Sequence, residues 1–348
     1  MWDHVLESKP MLTLGIDTSC DDTSVAIVQD TTIIRANIIS SQGIHLGYGG
    51  VVPELASRAH LRLFLPALDA AFQAASVRPV DLDAIAVTRG PGLAGCLLVG
   101  LSMAKSLAFA WDKPLIGVNH IEGHLFAGLL AYPELTPPLI ALIVSGGHTQ
   151  LVLVRSWGNY EILGRTRDDA AGEAFDKVAK LLKIGFPGGP VIDRLAEKGD
   201  PAFVAFPRSY LDRSQYEFSF SGIKTAVRTY LSGRSEEAIQ QDLPHIAASF
   251  QEAVVDTLVE KTLLAARTTG VSTVLLTGGV ACNRRLRAKM AERGDPYGVA
   301  VRYPPPVLCT DNGAMIAAAG AFHRANGQTS SLDVSIDSRA ALQTATKL

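Results

Sequence analysis

The sequence has few cysteines and no long uninterrupted apolar run, and each shortage narrows what the chain can be. Cys20, Cys96, Cys282 and Cys309 lack the paired spacing of a zinc or disulfide framework, which predicts small buried thiols and favours a reducing, cytoplasmic location. Gly, Ser or Lys interrupts the apolar stretches before the roughly 18 residues that a bilayer span needs. We therefore predict no membrane-spanning segment.

The chain also has no large excess of either charge. It contains 32 Lys and Arg and 34 Asp and Glu, which gives a net charge of -2. This balance argues against a protein that binds nucleic acid over its whole surface. Two local basic runs remain, and each alone is more often a solvated helix face than a binding patch. The runs are Arg284, Arg285, Arg287, Lys289 and Arg293, and Lys177, Lys180 and Lys183.

An internal repeat dominates the 348 residues, a length that favours two domains. Each half reads as three strands, then helices alternating with strands, with a helix from about Glu54 to Ser76 in the first half and one starting at His245 in the second. Such connections predict that each half is an α/β layer. Small molecules bind such sheets at the carboxyl ends of the strands, so we expect the binding site in a cleft between the halves. The predicted divisions are domains 11–135 and 136–326, an insertion at about 168–244, and flanking extensions 1–10 and 327–348.

Three Gly-rich or Asp-rich turns follow predicted strands at equivalent places in the repeat. They are GIDTSCDD with Asp17, SGGHT from Ser145 to Thr149, and TGGVACN at a helix start. Glycine lets backbone N–H groups approach an anion, and a helix N-terminus favours phosphate. Together the turns predict a nucleotide site.

Two histidines four residues apart, His120 and His124 in NHIEGH, stack on one face of a predicted helix and can hold a metal. Asp311 in CTDNGAM is the candidate third ligand, because we expect it at a late strand end facing the cleft. Two imidazoles and one carboxylate suit iron or zinc rather than calcium. The zinc-protease signature differs, since its glutamate directly follows the first histidine and Ile121 stands there.

Ordered motifs from about Met11 to Asn326 resemble one family, the universal tRNA threonylcarbamoyladenosine transferases. They include GIDTSCDDTSVA, GGVVPELASRAH, TRGPGLAGCLLVG, NHIEGHL, IVSGGHTQL, DDAAGEAFDKVAKLL, PGGP, FSFSGIK, TGGVACN and CTDNGAMIA. The resemblance implies an actin-like ATPase fold, shared with sugar kinases and heat-shock chaperones, of two duplicated RNase H-like domains around a central cleft. It also implies transfer of L-threonylcarbamoyl from threonylcarbamoyl-AMP to the exocyclic amine of the adenosine beside the anticodon, with release of AMP.

The resemblance also implies site residues and partners. It makes His120, His124 and Asp311 the ligands of one divalent metal, with iron favoured and zinc possible. The implied partners are tRNA, a shorter subunit of the same fold and a small P-loop ATPase. The implied nucleotide contacts are Ile143, Val144, Ser145, Gly146, Gly147, Asp176, Gly189, Asp193 and Asn283.

Other interpretations compete at several positions. Asp17 is a candidate proton acceptor or a strand-end turn former, Asp176 an exposed helix acid, and Asn283 an ordinary helix N-cap. Apolar positions in residues 61–72 fit either a docking face or a buried amphipathic helix. For the whole chain, a small-molecule kinase leaves the histidines unused, a metallopeptidase leaves the nucleotide turns unused, and a non-catalytic actin-like ATPase needs no metal.

Overall fold

The computed structural model describes residues 10–209 and 215–342. They form two compact units. The first contains the chain up to Gln42, Pro53–Pro133 and Asp311–Ala341, and the second contains Gly43–Val52, Glu134–Thr310 and Leu342. Of the predicted flanking extensions, residues 1–9 and 343–348 lie outside the described residues.

The first unit is built on a five-stranded mixed sheet of order β3-β2-β1-β4-β5. β1, β2 and β3 pair antiparallel, whereas β1, β4 and β5 pair parallel because helices connect them. The strands are β1 (Leu12–Asp17), β2 (Asp22–Gln29), β3 (Ile33–Ser41), β4 (Ala84–Gly90) and β5 (Leu115–Asn119), and the helices are α1 (Pro53–Ala75), α2 (Ala94–Trp111) and α3 (His120–Ala131).

The second unit repeats this plan with sheet order β10-β9-β6-β7-β8. Again three strands pair antiparallel and the helix-connected strands pair parallel. Its strands are β6 (Leu139–Val144), β7 (Thr149–Ser156), β8 (Asn159–Arg165), β9 (Thr273–Thr277) and β10 (Ala300–Arg302). Its helices are α4 (Ala171–Leu181), α5 (Gly188–Ala196), α6 (Ser221–Leu231), α7 (Glu236–Thr269), α8 (Arg284–Gly294) and α9 (Pro306–Cys309).

Helix α7 begins nine residues before the position expected from the sequence, so it takes in the end of the predicted insertion. Ser235 caps it by accepting a hydrogen bond from the Ala238 N–H, and two glutamates in the first turn complement the helix dipole. Pro244 lies inside the helix rather than before it. Pro244 therefore does not mark the start of the helix, because packing around the helix outweighs the one backbone hydrogen bond that the proline removes.

The last helix, α10 (Gly313–Ala325), packs on the first sheet, although the repeat pattern assigned it to the second half. Glycines make this packing close. A Cβ on Gly15 of β1 would lie 2.2 Å from the Gly313 carbonyl oxygen, and one on Gly320 would lie 2.3 Å from the Ala86 Cβ. Asp311, just before this helix, therefore belongs to the first unit and follows the short helix α9 rather than a strand.

Helix α2 corrects the expectation that no apolar segment reaches membrane-spanning length. It has 18 residues, a mean hydropathy of 1.5 and a third of its residues buried. Length and composition alone would let it cross a bilayer, and core helices of globular proteins meet the same criterion. Cys96, Leu97, Leu101 and Ala104 on its buried side pack in the first unit, where α2 contacts β4 and α1.

Candidate metal centre and nucleotide cavity

The histidine pair lies at the start of α3, where strand β5 ends. Asn119 caps the helix, its side-chain oxygen accepting hydrogen bonds from the N–H groups of Ile121 (2.9 Å) and Glu122 (3.3 Å). His120 and His124 are one turn apart, with ring centroids at 4.8 Å, and both are buried. The predicted shared face is therefore present in the structure.

Asp311 meets both imidazoles. One of its carboxylate oxygens lies 3.4 Å from His120 Nε2 and 3.4 Å from His124 Nε2. One ligand atom from each residue falls within 4.8 Å of the others, which forms a cluster able to hold a metal ion. The three predicted ligands, far apart in sequence, are thus brought together within the first unit.

The donor set fits a bound transition metal. Ligand atoms at about 2.1 Å from an ion and at angles of about 90 to 110° are separated by about 3 to 3.5 Å, and both imidazole-to-carboxylate distances are 3.4 Å. Two neutral imidazoles and one carboxylate leave coordination positions open, as in catalytic rather than structural sites.

The charges of the cluster also favour a cation. Burial alone would lower the pKa of His120, but the carboxylates of Asp311 and Asp17 outweigh it and raise this pKa to about 10. Burial likewise opposes ionisation of Asp311, yet the two imidazoles hold the pKa of its carboxyl well below the usual range. Burial lowers the pKa of His124. The site therefore attracts one positive charge, which a proton or a metal ion can supply.

Asp17 ends strand β1 beside this cluster, and its two carboxylate oxygens differ. Oδ1 accepts a hydrogen bond from the Ser19 N–H at 3.1 Å, which is the turn-forming role considered for it. Oδ2 lies 3.5 Å from His120 Nδ1, and neither atom has a hydrogen-bond partner among the described residues. Asp17 thus forms the turn with one oxygen and leaves the other, fully buried, facing the imidazole.

A partly buried ion pair supports the histidine helix from its other side. Glu122 lies 2.8 Å from His323 Nε2 on α10. Burial alone would lower the pKa of His323, but the Glu122 carboxylate raises it above its ordinary value. The pair therefore links α3 to the helix that follows Asp311.

The second unit contains a cavity of about 490 Å³. Five predicted nucleotide contacts line it: Gly146, Asp176, Gly189, Asp193 and Asn283. The other lining residues are Gly172, Phe175, Pro187, Pro190, Arg194, Gly279, Val280, Cys282, Arg284 and Thr310.

The remaining predicted contacts lie next to the cavity wall rather than in it. Ile143 and Val144 are fully buried in β6, which leads into the turn. The turn is closed by the Ser145 N–H, which donates to the His148 carbonyl at 2.8 Å, and Gly147 is exposed at its tip. A Cβ on Gly172 would lie 2.6 Å from the Ser145 carbonyl oxygen, so α4 starts directly against this turn.

The polar residues of the cavity already have partners within the protein. Asp176 accepts a hydrogen bond from the Gly188 N–H at 2.7 Å and is half-buried, so it is not the exposed acid considered for it. Asn283 caps α8, as its alternative interpretation held, by accepting from the Leu286 N–H. Its amide also donates to Gln251 at 2.7 Å.

Arg284 and Cys282 line the cavity but were not predicted as site residues. Arg284 Nε donates to Asp193 at 2.8 Å, and its guanidinium also pairs with Glu197. The sequence signal for Arg284 was the basic run, which indicated a surface rather than a pocket. Cys282 could have been found from its position in the sequence, because it directly precedes the helix N-cap Asn283.

The basic run on α8 is largely neutralised by acids. Arg285 and Lys289 both bind Glu252, at 2.7 and 2.5 Å, and together they lower the pKa of this carboxyl to about 2 against the opposing effect of burial. Lys289 also pairs with Asp256, and Arg293 with Glu260. These ion pairs favour a helix face over a binding patch, although Lys289 is mostly buried rather than solvated.

A cluster of two histidines and one aspartate able to hold a metal ion lies in one unit, and a glycine-lined cavity lies in a second unit with the same strand order, so the chain is of the duplicated α/β class. The sequence profile of the tRNA N6-adenosine threonylcarbamoyltransferases matches residues 32–318. Relatives of that name include those of Thermomicrobium roseum, 50% identical with 97% of this chain and 99% of the relative covered, and Magnetococcus marinus, 53% identical with 90% and 92% covered.

Solved structures agree on the fold. HypF of T. kodakarensis superposes with a TM-score of 0.59 at 17% identity, covering 91% of this chain and 49% of that one. An activator of 2-hydroxyisocaproyl-CoA dehydratase from Clostridium difficile, solved with bound ADPNP, gives a TM-score of 0.51 at 17% identity, covering 91% and 96%. The predicted actin-like ATPase fold is confirmed. The chain belongs to the tRNA N6-adenosine threonylcarbamoyltransferase family and is a tRNA-modifying transferase.

Replacing one candidate ligand at a time tests the metal centre. We expect His124→Gln and Asp311→Asn to weaken metal binding by more than about 100-fold, because each deletes a ligand. Elemental analysis of protein purified without oxygen measures iron and zinc per chain. His245→Gln in the second unit is the matched control and should keep the wild-type metal content. Wild-type metal content in His124→Gln would contradict the assignment.

Gly172→Ala tests the cavity turn. The new Cβ would lie 2.6 Å from the Ser145 oxygen and 2.8 Å from Gly146 Cα, so the turn must shift. We expect AMP affinity, measured by titration calorimetry, to fall about tenfold, which is about 1.4 kcal/mol. Gly222→Ala is the control, because no atom lies within 4 Å of its added Cβ. Equal AMP affinity in both variants would exclude the turn from binding.

Proposed function

We propose that the chain transfers the L-threonylcarbamoyl group from threonylcarbamoyl-AMP to the N6 amine of the adenosine 3′ of the anticodon in tRNAs that read codons starting with A. AMP leaves. Family membership supports this reaction over a small-molecule kinase or a metal-dependent peptidase. The observation that carries it is the cluster of His120, His124 and Asp311, because a kinase of this fold needs no such group.

We propose iron as the resident metal, with zinc as the alternative, since both suit two imidazoles and a carboxylate with open positions. His120, His124 and Asp311 would hold it. A cation there would supply Lewis-acid stabilisation of charge developing on carbonyl and phosphate oxygens, worth several kcal/mol. Both imidazoles are buried, so the protein keeps these ligands in place before any substrate binds.

The adenylate part of the donor is assigned to the cavity of the second unit. Its size, about 490 Å³, suits a nucleotide. In the segment from Ile143 to Gly147, the backbone N–H groups of Gly146 and Gly147 at the tip of the turn would face the phosphate. Gly146 and Gly189 leave space because no atom lies within 4 Å of a Cβ built on either. Asp176, Asp193 and Asn283 would contact the nucleoside while keeping their helix contacts.

Asp17 is proposed to take the proton from the attacking adenosine amine. Its Oδ2 is buried without a hydrogen-bond partner among the described residues, whereas Oδ1 already bonds the Ser19 N–H. With Oδ1 bonded to the turn and Oδ2 3.5 Å from His120 Nδ1, the carboxylate is held in a defined orientation. This arrangement is what a general base needs.

Partner subunits would supply part of the positively charged surface that binds tRNA, because most cations of the α8 run in this chain are paired with acids. We propose a shorter subunit of the same fold and a small P-loop ATPase, acting on tRNA in the cytoplasm. The supporting observation is an apolar surface on α1 and α2. Leu61, Leu65, Leu98 and Phe109 are 53, 57, 56 and 78% exposed, whereas Phe64 and Leu68 of α1 are buried. Helix α1 thus buries apolar side chains in the first unit and also exposes others to solvent.

Asp17→Asn tests the proton acceptor. Asparagine keeps the oxygen that bonds Ser19 but loses basicity, so at saturating metal we expect single-turnover transfer to slow by about 100-fold or more with AMP affinity unchanged. Formation of threonylcarbamoyladenosine in tRNA, followed by nucleoside mass spectrometry, measures this. Asp30→Asn, at the exposed turn after β2, is the control. Transfer at the wild-type rate would leave Asp17 only its turn-forming role, whereas no transfer by the wild type would reject the reaction itself.

Charges on the apolar surface test the partner proposal. We expect Leu65→Asp and Phe109→Asp each to weaken binding of the same-fold subunit by at least tenfold, since buried aromatic and aliphatic anchors dominate interfaces. Val307→Asp introduces the same charge at an exposed apolar residue of the second unit. Analytical ultracentrifugation of the mixed subunits gives the affinities. Unchanged binding by both α1 and α2 variants would place the interface elsewhere.

A further inference from the structure

One buried imidazole of the first unit, that of His60, belongs to neither the metal cluster nor the cavity. His60 lies in the first half of α1 and is fully buried. Its Nε2 lies 2.9 Å from the Cys20 carbonyl oxygen, and its Nδ1 lies 2.7 Å from the Thr23 hydroxyl. Cys20 belongs to the turn between β1 and β2, and Thr23 belongs to β2. The ring therefore bridges this turn and the strand that leaves it.

The partners of His60 determine which ring nitrogen carries the hydrogen. A carbonyl oxygen only accepts hydrogen bonds, so Nε2 carries the hydrogen and donates it to Cys20. Nδ1 of the neutral ring is then an acceptor, and the buried Thr23 hydroxyl donates to it. The Gln42 amide nitrogen also lies 3.4 Å from Nδ1, as a donor should. One neutral tautomer satisfies the contacts to Cys20, Thr23 and Gln42.

The backbone of the turn is held at three successive carbonyls. Those of Ser19 and Asp21 accept hydrogen bonds from backbone N–H groups of other segments, at 2.9 and 3.2 Å. Between them, the Cys20 carbonyl accepts its hydrogen bond from a side chain, that of His60. A substitution at position 60 therefore changes the bond at Cys20 and leaves the donors on either side in place.

The same turn orients the acid beside the metal ligands. The Ser19 N–H donates to Asp17 Oδ1 at 3.1 Å, and Asp17 Oδ2 lies 3.5 Å from His120 Nδ1. Cys20 directly follows Ser19 in the chain. A movement of the Cys20 carbonyl therefore shifts the backbone next to the residue that holds Asp17.

We propose that His60 is a positioning residue for the transfer reaction, whose Nε2–H holds the Cys20 carbonyl and thereby the turn that orients Asp17 toward His120. His60 acts through the backbone of the turn and touches no ligand of the metal cluster. A carbonyl that loses its donor is left without a partner beside buried side chains, which is unfavourable, so the turn would rotate it toward water. The proton transfer by Asp17 rests on the proposed function, whereas the contacts of His60 all lie within the first unit.

Two amide substitutions separate this hydrogen bond from the packing of the ring. Glutamine places its amide nitrogen near the position of Nε2, so His60→Gln keeps a donor for Cys20. The shorter asparagine reaches only as far as Nδ1, so His60→Asn loses that donor and keeps the contact to Thr23. We expect single-turnover transfer by His60→Gln to stay within about threefold of the wild type and that by His60→Asn to slow by about tenfold or more. Both variants should keep the wild-type AMP affinity, because the cavity lies in the second unit.

The comparison of the two variants decides the role of the Nε2 bond. Equal transfer rates in both, whether both fast or both slow, would overturn it, as would a faster His60→Asn. NMR of the wild type with isotope-labelled histidine nitrogens tests the same bond even where a variant does not fold. We expect the hydrogen of His60 on Nε2, and a hydrogen on Nδ1 alone would overturn the proposal.

Visible absorption of the protein loaded with Co²⁺ reports the geometry of the metal ligands without tRNA or donor. We expect His60→Asn to shift the Co²⁺ bands, because Asp17 no longer holds the His120 ring in the same orientation. His60→Gln should match the wild type, and so should the control His245→Asn in the second unit. Wild-type bands in His60→Asn would overturn the positioning of Asp17 toward His120.

The Co²⁺ spectrum also separates this proposal from the proposed function. Shifted bands in His60→Asn alone, together with no transfer by the wild type, would support the positioning role and reject the transfer reaction. Transfer by the wild type, together with identical spectra and rates in both His60 variants, would overturn the positioning role and leave the proposed function intact.

Discussion

The close packing of α3 on α10 is the constraint on which the metal cluster depends. A Cβ on Gly123 would lie 2.8 Å from Ile316 Cδ1 and 3.1 Å from Met315 Cγ, so the side chains of α10 pack directly against the backbone of α3 at this glycine. His120 and His124 flank Gly123 on one helix, and Asp311 directly precedes the other. The contact between these two helices therefore brings both imidazoles to 3.4 Å from the carboxylate, the separation that suits a common ion.

Each of the two sites is made within one unit, and contacts inside that unit hold the residues of the site in place. In the first unit, opposite charges compensate one another, since Asp311, Asp17 and two imidazoles share a buried space. In the second unit the cavity's polar groups are held by the protein itself, Asp193 by Arg284 and Asn283 by Gln251. Such internal contacts lower the entropy lost on binding, because the side chains are already fixed.

Most of the fold and the metal cluster could be predicted from sequence, because their signals are local or repeated. Alternating apolar runs located the strands, and the four-residue spacing placed both histidines on one face. The packing of α10 on the first sheet could not be read in this way, since it depends on how Gly15, Gly313 and Gly320 fit against distant backbone. The partners of the α8 cations were equally hidden, because Glu252 and Asp256 are more than 30 residues away in the sequence and adjacent only in space.

Residues after α10 show how far a site's support extends beyond its motifs. The predicted extension from residue 327 runs beside β5, where Ser330 bridges to Leu115 at the start of the strand and its hydroxyl accepts a hydrogen bond from the Gly117 N–H. Further on, the Ala341 carbonyl accepts a hydrogen bond from the Asn119 side-chain amide at 3.1 Å. Asn119 uses its other side-chain atom to cap the histidine helix, so the extension fixes the orientation of that cap. The metal ligands are therefore held from the strand side by a segment that carries no motif of its own.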